Sequence, residues 1–371
     1  MTKPPPAGAL IALAAALFLP LGAQGWWFDH PIALLATLPA WWTALTLARA
    51  MQGSLRNGMA INLATIAASA APLIILHNGA AGHGAIGLWL YLLALLLLAW
   101  RGLGLLAASR VSAAADQRFI AVATPFFFGL GILYLWEVLV RGFGVPAVLL
   151  PAPSQIGLRI ATSLPTLAAD FNQTYIKAVI PGFIMGCGAG FLTAILCDRV
   201  DFLRRGLLPI GNLVSALPII GIAPIMVMWF GFDWHSKAAV VVVMTFFPML
   251  VNTVTGLAAT SRIERDLLAT YGASRVQSLL KLRLPQAMPF IFNALKINAT
   301  LALIGAIVAE FFGTPIVGMG FRISTEIGRM NVDLVWATIA VAALAGSAAY
   351  GLIVLLERRV TFWHPSIRAA G

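Results

Sequence analysis

The sequence predicts an all-α polytopic membrane protein, and three features indicate this class. Of its 371 residues 60% are hydrophobic and 10% are charged, whereas a soluble domain carries about 25% charged residues. The mean hydropathy is +0.92. The apolar residues are also gathered into runs that are long enough for membrane-spanning helices, which need about 20 residues each. These features exclude a soluble globular protein.

Ten apolar stretches qualify as spanning helices. They lie near residues 7–24, 31–48, 58–76, 85–106, 119–140, 176–197, 207–230, 238–258, 289–311 and 335–356. The first stretch follows Lys3 and ends near Gly22. It therefore fits either a retained helix or a cleavable signal peptide.

The net charge of +11 could suggest nucleic acid as a partner. The basic residues, however, are spaced between apolar runs instead of clustered with aromatic residues, which is typical of charges that set membrane topology. If residues 261–285 are cytoplasmic, the inner segments hold 18 of the 24 Lys and Arg residues and the outer segments hold six. The charge distribution therefore predicts both termini in the cytoplasm and no binding of nucleic acid.

The polar stretch of residues 261–285 interrupts this apolar chain. Ser261 with Glu264, and Ser274 with Gln277, have the spacing of capping boxes, which predicts two short helices. Gly272 between them favours a chain reversal at positive φ. Pro285 is predicted to end the second helix. The surface between the helices is predicted to be an apolar knob, Leu267, Leu268, Ala269, Tyr271 and Ala273, inside a basic collar, Arg262, Arg265, Arg275, Lys281 and Arg283. Such a surface is expected to dock on a partner.

The same stretch has an acidic residue, a glycine six positions later and a Leu-Pro pair that ends thirteen positions after the glycine. Asp266, Gly272 and Leu284-Pro285 occupy these positions. The pattern resembles the coupling loop of binding-protein-dependent ABC importer permeases. It departs from the family at Leu267-Leu268, where the family prefers alanines.

Three more stretches carry this resemblance: Leu150–Ser154, Ala223–Thr255 and the Gly318–Gly320 turn after Glu310. They are similar to permeases for nitrate, sulfonates, taurine and pyrimidine precursors. The resemblance covers residues 115–371 and implies a core of six helices of the type I importer kind. Residues 1–114 have no counterpart in the usual six-helix members. They are therefore expected to form an accessory transmembrane region of four helices.

The resemblance implies a multi-pass permease of the bacterial cytoplasmic membrane. It would import a small solute, in the class of anions, sulfonates or heterocyclic precursors, by alternating access. The expected partners are a cytoplasmic ABC ATPase dimer, an extracytoplasmic solute-binding protein, a second permease subunit, most simply an identical one, and membrane lipid. The residues expected to couple to the ATPase are Asp266, Leu267, Leu268, Ala269, Tyr271, Gly272, Ala273, Ser274, Leu284 and Pro285.

The chain contains no G-x-x-x-x-G-K-[ST] phosphate loop. ATP and Mg²⁺ are therefore expected to bind the partner ATPase, and this chain is expected to be a non-catalytic subunit without a cofactor or a metal site.

Within the predicted spans, Gly182, Gly186 and Gly190 recur at four-residue spacing, which predicts close helix packing. A solute pathway could be lined by Phe246, Phe247, Asn252, Asn298, Thr300 and Glu310. Interhelical hydrogen bonding is the alternative for the polar members of this set. Glu137 and Glu310 are carboxylates inside predicted spans, where an ionisable group indicates either function or an ion pair. The nearby partners for such pairs are Arg141 and Arg322.

Two other classes of protein remain as alternatives. An ion-coupled secondary transporter usually shows embedded carboxylates and two matched halves, whereas the acids here are few and no internal repeat is evident. An intramembrane enzyme needs a metal or nucleophile constellation. The five histidines are scattered, and neither H-E-x-x-H nor G-x-S-x-G occurs.

Overall fold

The computed structural model describes residues 6–20, 27, 30–49, 55–77, 84–109, 114–215, 218–313 and 316–363. All regular secondary structure in these ranges is helical, which confirms the predicted all-α class. The chain forms two compact units, Met1–Gly157 and Leu158–Gly371.

The first unit contains seven described helices. They are α1 (Pro6–Leu17), α2 (Pro31–Ala36), α3 (Leu38–Arg49), α4 (Leu55–Ala68), α5 (Ala70–Ile75), α6 (Ile86–Ala107) and α7 (Ala114–Gly142). Helix α8 (Pro153–Thr162) contains the boundary between the units.

A continuous apolar core holds the first unit together, and Trp27 and Tyr91 lie fully buried within it. The two rings are 5.0 Å apart. The indole N–H of Trp27 donates to the carbonyl of Ala16 at 2.9 Å, and the hydroxyl of Tyr91 donates to the carbonyl of Ala68 at 3.1 Å. Val138 of α7 belongs to the same core. Residues 115–157 therefore pack with the N-terminal helices, and the functional division at 114/115 stays a prediction.

The second unit contains ten further α-helices and two π-helical segments. In chain order they are α9 (Leu164–Phe171), π1 (Asn172–Val179), α10 (Ile180–Arg199), α11 (Asp201–Ser215), α12 (Ile219–Phe230), α13 (Trp234–Ala258), α14 (Arg262–Thr270), α15 (Arg275–Ser278), π2 (Leu279–Arg283), α16 (Leu284–Glu310), α17 (Met319–Gly328) and α18 (Val332–Val360). Helix α13 packs along both α10 and α16, and these three helices form the centre of the unit.

Seven helical stretches among the described residues are long and apolar enough to cross a membrane. They are Leu55–Ile75, Ile86–Ala107, Ala115–Gly142, Leu164–Arg199, Trp234–Ala258, Arg275–Glu310 and Val332–Val360. A polytopic membrane protein is therefore confirmed.

In the remaining three predicted spans, the described helices are shorter than a membrane span. The described part of the 7–24 stretch contains α1, which ends at Leu17, and the 31–48 stretch is split between α2 and α3 at Thr37. The 207–230 stretch contains the end of α11 and all of α12, and Pro218 immediately precedes α12. Pro39 lies beside the break between α2 and α3, and Pro218 lies beside the break between α11 and α12. Proline favours such breaks because it disfavours helical geometry in the residue before it and lacks a backbone donor.

Two wide π-turns each lie directly before a proline. The N–H of Ile180, before Pro181, donates to the carbonyl of Tyr175, and the N–H of Leu284, before Pro285, donates to the carbonyl of Leu279. A proline ring clashes with the carbonyl four residues earlier in a regular α-helix. The wider turn relieves that clash, so the helix continues. The prediction that Pro285 ends a helix is therefore wrong.

Candidate functional site

The 261–285 segment folds as its local sequence predicts. The Ser261 hydroxyl accepts from the N–H of Glu264 at 3.2 Å, and the Glu264 carboxylate accepts from the N–H of Ser261 at 3.0 Å. Ser274 and Gln277 form the second reciprocal pair. Gly272 has a φ of 71°, in the left-handed region. Two capping boxes and a glycine reversal are therefore confirmed.

The carboxylate of Glu264 is held in its charged form. Hydrogen bonds from the side chain and the backbone N–H of Ser261, and a third from the Gln286 amide, lower the pKa of Glu264 below its usual value. Because this carboxylate also lies at the N-terminus of α14, it interacts favourably with the helix dipole.

Helix α14 and its C-terminal capping residue, Tyr271, present a row of exposed apolar side chains. Ile263, Leu267 and Tyr271 follow one another at four-residue spacing and are 81%, 57% and 81% exposed. Residues at this spacing share one face of a helix. Ile263 is absent from the predicted knob, although the spacing of the three residues could have identified it.

The other predicted coupling residues surround this row to different degrees. Asp266, Ala269, Gly272 and Ser274 are exposed, whereas Leu268, Ala273, Leu284 and Pro285 are half-buried. The predicted knob is therefore only partly exposed, and Ile263, Val276 and Leu280 add exposed apolar side chains to the segment.

Arg283 does not belong to the predicted basic collar. Its guanidinium donates to both carboxylate oxygens of Asp198, and its side chain is only 18% exposed. Arg262, Arg275 and Lys281 are exposed, and Arg265 is half-buried. The predicted exposure of Arg283 is wrong because packing sets the rotation of a helix about its axis, and the sequence of a single segment does not show that packing.

The three glycines of α10 lie against the backbone of α13. A Cβ atom at Gly182 would lie 2.8 Å from the Ala238 carbonyl oxygen, and one at Gly190 would lie 2.4 Å from that of Phe246. At Gly186 it would lie 2.0 Å from the Thr245 hydroxyl oxygen. The contact between α10 and α13 therefore requires the absence of side chains at these positions.

Asn298 is the most buried of the proposed pathway residues in the bundle centre. Its amide donates to the Thr245 carbonyl at 2.8 Å and to the Cys187 sulfur at 3.2 Å, so it joins α16 to α13 and α10. The side-chain oxygen of Asn298 is buried without a hydrogen-bond partner.

The other pathway candidates do not gather around Asn298 in this structure. Asn252 and Thr300 bond to carbonyls of their own helices. Phe246 and Phe247 form an edge-to-face pair at 4.9 Å and pack on the core between α10 and α13. A pathway lined by these residues stays a prediction.

Glu310 contributes to a set of three side chains that cap the first turn of α17. The N–H of Gly318 donates to the Asp170 carboxylate at 2.9 Å, and the N–H of Met319 donates to the Thr174 hydroxyl at 2.7 Å. The N–H of Gly320 donates to the Glu310 carboxylate at 2.6 Å. These donors have no partner inside α17, so acceptors from other helices satisfy them. Sequence reasoning did not identify Asp170 or Thr174.

The expected pairing of Glu310 with Arg322 is wrong. The Nε atom of Arg322 donates to Asp170 at 2.8 Å, and the same guanidinium lies 3.5 Å from Glu326. Bonding to Asp170 raises the pKa of Arg322 above its usual value. The other expected pair, Glu137 with Arg141, is confirmed, and Glu137 also accepts from the backbone and side chain of Ser154.

Lys237 is almost fully buried near the start of α13. Its ammonium donates to the Phe232 carbonyl at 2.6 Å and to the Gly313 carbonyl. It therefore ties the turn before α13 to the turn after α16.

The long apolar helices define a multi-pass membrane protein. A family model described as binding-protein-dependent transport system inner membrane component matches residues 182–362, from the first glycine of α10 to the end of α18. The chain belongs to this family.

Several curated relatives are also similar to this chain. The formylaminopyrimidine transport permease protein ThiX of Halalkalibacterium halodurans is 32% identical over 247 residues, which cover 67% of this chain and 98% of the relative. The riboflavin transport system permease protein RibX of Chloroflexus aurantiacus is 29% identical over 63% of this chain and 88% of its own length. The taurine transport system permease protein TauC of Escherichia coli is 26% identical over 64% and 88%.

Proposed function

We propose that this chain is the membrane-spanning subunit of an ATP-driven importer for a small solute. A separate cytoplasmic ATPase would dock on the 261–285 segment and drive alternating access of the helices in the second unit. The exposed row of Ile263, Leu267 and Tyr271 is the observation that carries this proposal, because an apolar row among polar residues is typical of an interaction surface.

Three further partners belong to this proposal. A solute-binding protein would meet the outer segments, which include α17. A second, identical permease chain would complete the pathway by two-fold symmetry. Both termini would lie in the cytoplasm, and residues 1–114 would be an accessory helical region. In keeping with the relatives named above, the solute would be a small anion, a sulfonate or a heterocyclic precursor.

Reconstitution tests the energy source directly. The chain is placed in sealed vesicles with its ATPase and binding protein, and uptake of taurine, riboflavin and formylaminopyrimidine is followed. ATP-dependent accumulation that survives an ionophore is expected. Accumulation by the chain without an ATPase, or its collapse with the ionophore, would contradict the proposal and favour an ion-coupled secondary transporter.

Cysteine labelling tests the docking surface. The two natural cysteines, Cys187 and Cys197, are buried, so a Tyr271→Cys substitution supplies a distinct accessible thiol. We expect a water-soluble maleimide to label this thiol in the isolated chain, and we expect the ATPase to protect it. Phe202→Cys, also strongly exposed and outside the 261–285 segment, is the control that should stay labelled. Equal labelling of Tyr271→Cys with and without the ATPase would overturn this docking site.

A further inference from the structure

We propose that Arg283 is a positioning residue that makes α10 and α13 follow movements of the 261–285 segment. This inference rests on the proposed function, since it assigns a route by which force applied by an ATPase reaches the membrane helices. Its basis is one side chain that joins the ends of three helical stretches.

The first connection is an ion pair with α10. Arg283 Nη1 donates to Asp198 Oδ2 at 2.7 Å, and Nη2 donates to Asp198 Oδ1 at 2.5 Å. The two side chains are 18% and 14% exposed. A two-pronged pair of this kind fixes direction as well as distance, and partial burial protects it from screening by salt. Asp198 is the second-last residue of α10.

The second connection is to the backbone of α13. Arg283 Nη2 and Nε donate to the Leu257 carbonyl at 3.0 and 3.3 Å. Leu257 lies in the last turn of α13, where carbonyls have no partner within the helix. The same guanidinium therefore binds the ends of α10 and α13 together.

The third connection is covalent. Arg283 is the last residue of π2, and the stretch Arg275–Glu310 is helical without interruption. A displacement of α15 is therefore passed along the helix axis to α16 and sideways through Arg283 to α10 and α13. At the other end of the segment, the Gln286 amide donates to Glu264 at 2.9 Å and attaches α14 to α16. The 261–285 segment, which carries the exposed apolar row of α14, is therefore attached to the long helices at both of its ends.

Removing the charge of Arg283 should uncouple the segment from α10 and α13 while leaving the docking surface unchanged. We expect Arg283→Gln and Asp198→Asn to bind the ATPase as the wild type does and to hydrolyse ATP. Solute uptake per ATP hydrolysed should fall by about tenfold, within the usual range for coupling between separate sites. The exchanged pair, Arg283→Asp with Asp198→Arg, should recover part of this loss.

The measurement uses the complete complex in vesicles, with the panel of taurine, riboflavin and formylaminopyrimidine as probes. Lys296→Gln is the matched control, because Lys296 pairs with Glu357 at 2.9 Å on the same long helix with similar exposure but contacts α18. An unchanged uptake-to-ATP ratio in both Arg283→Gln and Asp198→Asn would overturn the inference. An equal loss in Lys296→Gln would also overturn it, because the effect would then belong to any ion pair of α16.

The failure of the inference can be distinguished from failure of the proposed function. If the wild type shows no ATP-dependent uptake of any probe, the proposed function fails, and the inference that rests on it fails too. If the wild type transports and Arg283→Gln transports with the same ratio, only the role of Arg283 is lost. Should Arg283→Gln fold poorly, the isosteric Asp198→Asn and the exchanged pair decide.

Discussion

The Thr174 hydroxyl donates to the Glu310 carboxylate at 2.7 Å, and the two residues lie 136 positions apart in the chain. The same hydroxyl oxygen accepts from the N–H of Met319. One buried threonine thus orients a carboxylate and satisfies a backbone donor of α17. The relationship favours a structural role for Glu310 over direct contact with a solute.

Thr174→Val should destabilise the second unit by about 3 kcal/mol, because it leaves one buried donor and one buried acceptor without a partner at nearly constant volume. Thermal unfolding in detergent measures the loss, and hydrogen exchange at residues 318–320 locates it. Thr338→Val is the control, since Thr338 is equally buried but bonds only to the Leu334 carbonyl of its own helix. Equal destabilisation by the two variants would contradict the capping role.

Gly186→Ala should push α10 and α13 apart, because its Cβ would lie 2.0 Å from the hydroxyl oxygen of Thr245 and 2.8 Å from a backbone carbonyl oxygen. We expect a loss of about 2 kcal/mol, as for other overpacked contacts. Gly188→Ala on the same helix has nothing within 4 Å of the added carbon. This control should be neutral or slightly stabilising, because alanine favours a helix over glycine by up to about 1 kcal/mol. Unfolding curves with the same midpoint for both variants would be evidence against close packing of α10 on α13 at Gly186.

Glu326 should make stability depend on pH in the acid range. Burial alone would raise the pKa of Glu326, but a hydrogen bond from Asn331 and the charges of Arg329 and Arg322 outweigh it and lower the pKa below its usual value. A carboxyl with a depressed pKa in the folded protein stabilises it above the unfolded value of about 4.3 and loses that contribution as pH falls through the folded value.

We therefore expect the unfolding temperature to fall below about pH 4.3 and the decline to be shallower in Glu326→Gln. Asn331→Ala, which removes a donor at 2.8 Å, should shift the decline to higher pH. Identical pH profiles for the wild type and both variants would show that Glu326 does not contribute.

Much of the local structure could be predicted from the sequence. The capping boxes at Ser261 and Ser274, the reversal at Gly272 and the Glu137–Arg141 pair each involve residues within five positions of one another. Such contacts depend on backbone geometry that short patterns encode. The family resemblance also followed from these short spacings.

The contacts that organise the site join distant parts of the chain. Arg283 meets Asp198 across 85 residues, and Gly318 meets Asp170 across 148. A single sequence shows neither the rotation of each helix nor which helices become neighbours. The expectation that Arg283 lies in the exposed collar was wrong for this reason. The π-turn before Pro285 was missed because proline commonly ends helices, whereas here a wider turn before the proline lets the helix continue.

Gly272 offers the sharpest test of whether the shape of the 261–285 segment matters for transport. Its φ of 71° suits glycine, and no atom lies within 4 Å of a Cβ built there. A bulky β-branched residue is therefore excluded by backbone conformation and not by contact. Gly272→Val should change the angle between α14 and α15. ATP hydrolysis should continue in the reconstituted complex while solute uptake falls about tenfold or more.

Gly272→Asn separates conformation from the mere addition of a side chain, because asparagine adopts the left-handed region more readily than other non-glycine residues. We expect this variant to insert into the membrane, bind the ATPase and retain most of the uptake per ATP hydrolysed. Membrane insertion of Gly272→Val should also be normal, since the residue lies outside the spanning stretches. Normal transport by Gly272→Val would show that the reversal is dispensable, whereas equal losses in both variants would assign the effect to surface contact at this position instead of backbone geometry.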